Sequence, residues 1–352
     1  TATITNAPTA SSNAASYSLT YASGLSATNY TFNSAANAVS YVVNPATLIV
    51  TGANNSSAYN GSVQTNGGVT ATVNGSAVTI TGNTIATGIS GQSFTLSGYG
   101  SGTNASATPY VDNFSLAAAS GTTAANYSIS YVNRGLTITK APLGVSAEAT
   151  YASSTSVTPS SATLTGLVAA DSAATVTNLV LSNANVGSGL YATGLTLSNG
   201  AQANYVLNSA SNTTLGTDTT NTVTLNKATL TVTGTVSPSK TYDGTTSATI
   251  TGGTLNGVQG SDVVTLTQSG VYSSAAAGSG ISITMSNSVS GTNVSTNYQL
   301  TQPVVTGSIS RAALGVSAEA TYASSASVTP SSATLTGLVA ADSAATVTNL
   351  VL

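Results

Sequence analysis

The sequence predicts an all-β protein built from tandem β-sandwich modules. Three observations carry this expectation: apolar residues that alternate with period two, turn dipeptides at short intervals, and a near-exact internal repeat. Alternation is clearest in Ala228-Thr229-Leu230-Thr231-Val232-Thr233, which sets Leu230 and Val232 on one face and threonines on the other. Val78–Thr81, Leu136–Thr139 and Ile281–Met285 read the same way. Period two is the mark of a half-buried strand, and threonine suits the wet face because its branched carbon favours extended backbone. Asn-Gly pairs at Asn60, Asn66, Asn74, Asn199 and Asn256 are each candidates for a tight turn. No helical period is sustained; Leu116 to Ala119 is alanine-rich but too short to hold a helix.

The repeat sets the module length. Residues 140–181 and 311–352 align without gaps at an offset of 171 and differ only at Lys140/Arg311, Pro142/Ala313 and Thr155/Ala326. That offset suits two domains of about 85 residues. A fainter likeness links Thr163–Asp171 with Thr254–Asp262, and in each a tyrosine, Tyr151 or Tyr242, stands 20 residues before the aspartate. Module ends share an Asn-Tyr pair (Asn126-Tyr127, Asn204-Tyr205, Asn297-Tyr298, with Asn29-Tyr30 a fourth) followed by an alternating stretch. These marks divide the chain into 1–45, the closing part of a module; complete modules 46–140, 141–227 and 228–311; and 312–352, the opening part of a further module. Almost no linker remains, so one module's last strand is expected to run into the next module's first. The two part-modules are expected either to belong to a window on a continuous array or to complete one another head to tail by strand addition.

Composition excludes much chemistry. The chain has 352 residues, no Cys, no His, no Trp, and only five Lys plus Arg against eight Asp plus Glu. There is no thiol or imidazole for nucleophile, general base or metal, so no cofactor and no metal are expected. Five cations cannot neutralise a phosphate backbone, which argues against nucleic-acid partners. No apolar run approaches the ~20 residues of a membrane helix, so no membrane insertion is expected in this region. Serines and threonines without a base do not make a hydrolase, and paired carboxylates for glycoside cleavage are lacking within a module. The expectation is that the chain is not an enzyme.

Lys240-Thr241-Tyr242-Asp243-Gly244-Thr245-Thr246, with Gly257 to Thr267 and the ending Asn297–Pro303, resembles the YDG repeat. Asn126–Tyr131, closing on Gly135–Ala141, resembles the end of MBG repeats. The resemblance implies Ig-like β-sandwich modules arranged end to end as a rod or fibre. It further implies an extracellular, bacterial-surface setting in a large secreted, filamentous-haemagglutinin-like adhesin. The function expected is structural, as stalk or filament; the alternative is that the modules themselves bind glycan or host protein. Partners expected are neighbouring copies of the same repeat, head to tail or lateral, since low charge removes repulsion.

Each candidate residue has a structural reading. Asp171, Asp262 and Asp342 recur at one position and are expected to accept backbone N–H bonds at a turn rather than bind calcium, which needs six to eight oxygens. Asp243-Gly244 is expected to form the turn after Tyr242. Tyr127, Tyr205 and Tyr298, each after an asparagine, are expected to bury their rings and bond their hydroxyls to backbone. Tyr-Ala-Ser at 151 and 322 and Tyr-Asn-Gly at 59 depart from Tyr-Asp-Gly. Lys227, Asp262 and Asn297 are the residue types of a Lys–Asn crosslink, but Arg311 and Asn44 hold the place of Lys227 elsewhere and cannot form one.

Overall fold

The structure is a computed structural model. It describes residues 3–24, 26–30, 39–208, 220–322, 324, 326–348 and 350–351. The described chain is all-β: many short strands, with helical turns of three or four residues at Ala124–Asn126, Ala169–Asp171, Ala201–Asn204, Val294–Asn297 and Ala340–Asp342. It divides into two compact units, the first Thr1–Leu143, Gly166–Ala174 and Asn199–Val206, the second Gly144–Thr165, Thr175–Ser198 and Leu207–Leu352.

In the first unit, Ala46–Thr51 pairs in parallel with Tyr127–Val132 and antiparallel with Thr70–Val73, which turns back into Ser76–Val78. The turn is Asn74-Gly75, both at positive φ (48° and 81°), which is the backbone a two-residue hairpin demands. A second sheet orders Ser115–Ala118, Ser93–Ser97, Thr84–Ala86 and Ile80–Thr81. Alternating residues of both sheets bury Leu48, Val50, Val73, Ile85, Phe94 and Leu96 in one core. Val78–Thr81 is therefore not a single strand. Val78 pairs with Ala71 in one sheet and Ile80 with Ile85 in the other, and Thr79 is the crossing point. Period two survives such a crossing because side chains still alternate, so the sequence pattern does not reveal it.

Asn66 is likewise not a tight-turn residue. It is buried, and its amide donates to both oxygens of Asp112 at 3.1 and 3.0 Å and to the Ala53 carbonyl at 2.9 Å. Asp112 also accepts the backbone N–H of Gly100 at 2.9 Å and of Arg134 at 3.3 Å. A Cβ on Gly52 would lie 2.3 Å from Asp112 Oδ2, so glycine is required there.

In the second unit, Asn221–Asn226 runs parallel to the Ala141–Thr150 strand from Val145↔Asn221 to Thr150↔Asn226. Lys227 alone separates Asn221–Asn226 from Ala228–Thr233, as the near absence of linker predicts. Ala228–Thr233 alternates buried and exposed residue by residue, as the sequence predicts. One continuous apolar cluster joins Val145, Leu179, Leu181 and Leu225 to Leu230, Val294 and Tyr298. A third cluster gathers Tyr272, Ile283, Met285, Val305 and Ile309.

Candidate functional site

Each Asn-Tyr pair sits where a helical turn meets a strand. Asn126, Asn204 and Asn297 end the turns, and Tyr127, Tyr205 and Tyr298 begin the strands that follow. Adjacent residues at such a break point in different directions, so the pair can grip two separate places.

The asparagines grip a matching dipeptide far back in the sequence. Asn204 Oδ1 accepts the Ala105 N–H at 2.9 Å while its Nδ2 donates to Asn104 Oδ1 at 3.1 Å. Asn297 does the same with Val186 N–H at 2.9 Å and Asn185 at 2.8 Å. Asn126 does so with Ala14 N–H at 2.8 Å and Asn13 at 3.0 Å. Asn204 and Asn297 are buried, so these two-point bonds satisfy groups that would otherwise be costly. Asn104, which opens an Asn-Ala-Ser sequon, is thus engaged as a partner. Asn13, Asn104 and Asn185 have no distinctive neighbours in the sequence; what marks them is that each lies 100 to 113 residues before its partner.

The tyrosines converge on the aspartates. Tyr205 donates to Asp171 Oδ2 at 2.7 Å, and Tyr59 donates to the same oxygen at 2.9 Å. Asn199 completes the set on Oδ1 at 2.7 Å. In the second unit Tyr298 and Tyr151 donate to Asp262 Oδ2 at 2.6 and 2.8 Å, and Ser153 to Oδ1 at 2.7 Å. Tyr242 donates to Asp342 Oδ2 at 2.8 Å. The ring pairs Tyr59–Tyr205 and Tyr151–Tyr298 meet edge to face, with centroids 5.5 and 5.3 Å apart.

Two expectations are corrected by this geometry. The carboxylates of Asp171 and Asp262 take side-chain donors, chiefly tyrosine hydroxyls, where backbone N–H bonds were expected. The turn at Asp171 is held by its backbone instead, whose N–H bonds Val168 O and whose carbonyl accepts the Ala174 N–H. The tyrosine hydroxyls do accept backbone N–H bonds, from Val168 to Tyr205 at 3.1 Å and from Gln259 to Tyr298 at 3.0 Å, but they also donate to carboxylate. Tyr127 has no aspartate and uses Thr87 and Gln92. The aspartate that Tyr151 reaches is Asp262, 111 residues on, and not Asp171, which stands 20 residues after it.

The residue two places after the tyrosine adopts positive φ in each case: Gly61 (79°), Ser153 (55°) and Gly244 (75°). A Cβ on Gly61 or Gly244 would lie 2.6 or 2.9 Å from the Cβ of Ala170 or Ala341. Where Ser153 stands, its partner is Gly260. The small residue has changed sides, so Tyr-Ala-Ser keeps the junction and adds the Ser153 bond to Asp262. Asp243 behaves as expected of a turn: it accepts Thr245 N–H at 2.9 Å and Lys240 Nζ at 2.9 Å, which hold its pKa down to about 2. Lys227 Nζ donates to the Ser295 carbonyl, so Lys227, Asp262 and Asn297 each have their own partners. Among the described residues no three His, Cys, Asp or Glu gather where a metal ion could be held.

Hydrogen bonds from Tyr298 and Ser153 hold the Asp262 carboxyl below its usual range. Burial, then the bond to Asp262, pushes Tyr298 up to about 12. A depressed aspartate contributes stability above its unfolded pKa and loses it as pH falls through the folded value. A raised tyrosine contributes below its unfolded pKa and loses it as pH rises towards the folded value. Stability against urea is therefore expected to be flat between about pH 4 and pH 10 and to fall on both sides. Tyr298→Phe should weaken the alkaline arm, and an unchanged arm would remove Tyr298 from this account.

No curated protein and no solved structure matches the chain. Residues 226–307, which hold the Tyr242-Asp243-Gly244 turn, Asp262 and the Asn297-Tyr298 pair, match the YDG domain family, so a YDG-type domain lies in this part of the chain.

Proposed function

We propose that the chain is a structural repeat region, a stalk or extracellular filament, of a large secreted bacterial surface adhesin and carries out no catalysis. In this reading its modules are Ig-like β-sandwiches arranged end to end as a rod. The observation that supports it most is the recurrence of one junction. Tyr59, Tyr151 and Tyr242 each reach an aspartate 100 to 112 residues further on, and each complete set is closed by a second tyrosine. A chain that spends its few carboxylates on fastening one repeat to the next is built for transmitting load. Low charge fits close association of such fibres. The alternative, modules that themselves bind glycan or host protein, is the weaker proposal. Tyr59, Tyr127, Tyr151, Tyr205, Tyr272 and Tyr298 are buried, which leaves few rings for sugar stacking.

Small-angle scattering from dilute chain tests the reading. A rod of modules should have a radius of gyration well above the roughly 20 Å of a compact particle of this length. A value near that of the compact particle would overturn the rod.

A further inference from the structure

Residues 141–181 and 312–352 are near copies, and their strands pair in the same register. Gly144↔Thr165 to Glu148↔Ser161 in one matches Gly315↔Thr336 to Glu319↔Ser332 in the other. Ser156↔Val180 likewise matches Ser327↔Val351. Their surroundings differ. In the first copy Asn221–Asn226 adds in parallel on the other edge, and Tyr151 N–H bonds the Asn226 carbonyl at 2.9 Å. Gly135–Thr139 and Val305–Ser310 do the same for Asn55–Ala58 and Ser239–Thr241, with Tyr59 and Tyr242 N–H bonded at 2.8 Å to Thr139 and Ser310. Among the described residues, Gly315–Glu319 pairs with Ser332–Thr336 alone. Val145 is wholly buried but its twin Val316 is 53% exposed; Tyr151 is 5% exposed and its twin Tyr322 91%.

The complementary edge is in the same sequence. Val39–Val43 precedes Ala46 as Asn221–Asn226 precedes Ala228. It pairs antiparallel with Ala15–Ser23 on one side, as Val305–Ser310 does with Gly278–Met285, and ends its sheet on the other. Its alternate residues Val39, Tyr41 and Val43 fall where Asn221, Val223 and Leu225 are buried, yet Val39 and Tyr41 are half exposed or more. The aspartates tell the same story. Asp171 and Asp262 each take a second tyrosine, from an Asn-Tyr pair, whereas the one tyrosine on Asp342 among the described residues is Tyr242. A cavity of about 500 Å3 lies beside Tyr242, Arg311, Leu338 and Asp342. Tyr30, of the Asn29-Tyr30 pair, is 78% exposed.

We propose that Val39–Val43 of one copy of this chain adds in parallel to the Gly315–Glu319 edge of a second copy. Val39 then lies opposite Val316, Tyr41 opposite Ala318 and Val43 opposite Ala320, and Tyr30 enters the cavity to donate to Asp342. The occupant is a second copy because the missing strand and the missing tyrosine are both supplied, in the right order, by one segment of this sequence. The proposal rests on the reading of the chain as repeats that complete one another, and names their partner.

The chain lacks cysteine, so an introduced pair reports cleanly. Val42→Cys with Glu319→Cys places one thiol on each outward-facing side of the proposed ladder, as Thr224 and Glu148 are in the covered copy. Oxidation should give a ladder of disulfide-linked multimers that lengthens with concentration and is lost with either cysteine alone. Tyr30→Phe should reduce it several-fold. A disulfide closed within one chain, or none, would overturn the proposal. Sedimentation of the unmodified chain guards against misfolded variants, and a monomer at every concentration would also overturn it. The scattering test uses dilute monomer, so either proposal can fail while the other stands.

Discussion

Asp171→Ala is expected to be the most damaging single substitution at the junctions. It removes the shared acceptor of Tyr59 and Tyr205, two rings 6% and 5% exposed, and of Asn199. Both hydroxyls stay buried because their rings pack edge to face, so neither can turn to water without undoing that contact. Leaving them unpaired should cost about 2–4 kcal/mol. For a cooperative unit of about 100 residues that lowers the melting temperature by roughly 10 °C or more. Asp171→Asn keeps an acceptor oxygen and should cost less than half as much. Tyr59→Phe deletes one donor only and should cost about 1 kcal/mol. Calorimetry of the three variants checks the order, and an Asp171→Ala chain that melts like the parent would remove the carboxylate from any role in stability.

Asp112→Ala should be nearly as severe, for a different reason. Asp112 is 1% exposed and gathers Asn66 Nδ2 with the backbone N–H groups of Gly100 and Arg134. Those donors are fixed by strands and loops that meet at this point, so no donor can follow a retreating acceptor. The expected loss is about 3 kcal/mol. Substitution of Asn66 by Ala, which removes a donor but leaves the carboxylate its two backbone partners, should cost less. Urea denaturation of both variants measures the difference, and a smaller loss for Asp112→Ala than for Asn66→Ala would contradict this ranking.

The strand content was legible because threonine and aliphatic residues alternate openly, and Ala228–Thr233 is buried and exposed in turn as that pattern requires. The crossing at Thr79 was not legible, since a change of sheet leaves the alternation intact. Recurrence drew attention to Asp171, Asp262 and the Asn-Tyr pairs, but their partners were hidden by the repetition itself. When every segment carries one tyrosine and one aspartate at the same spacing, the sequence cannot say whether Tyr151 meets Asp171 or Asp262. The fold decides, because the tyrosine follows a strand whose end faces the next segment's helical turn. Asp112 gave no signal, being a single carboxylate without a counterpart in the other segments. Asn66 gave a misleading one, since Asn-Gly favours a turn but does not forbid a buried amide.

The claim on which the account depends is that each tyrosine is energetically coupled to an aspartate about a hundred residues away. A double-mutant cycle measures this directly. Tyr151→Phe, Asp262→Ala and the pair together should be compared by equilibrium unfolding in urea at neutral pH. Direct contact at 2.8 Å predicts a coupling of about 1 kcal/mol or more, so that the double variant is less damaged than the sum of the single ones. Tyr242→Phe with Asp262→Ala, which pairs the tyrosine and aspartate that stand 20 residues apart, serves as the control and should be additive. Additive losses for Tyr151 and Asp262, or a coupling that appears instead between Tyr242 and Asp262, would contradict the account.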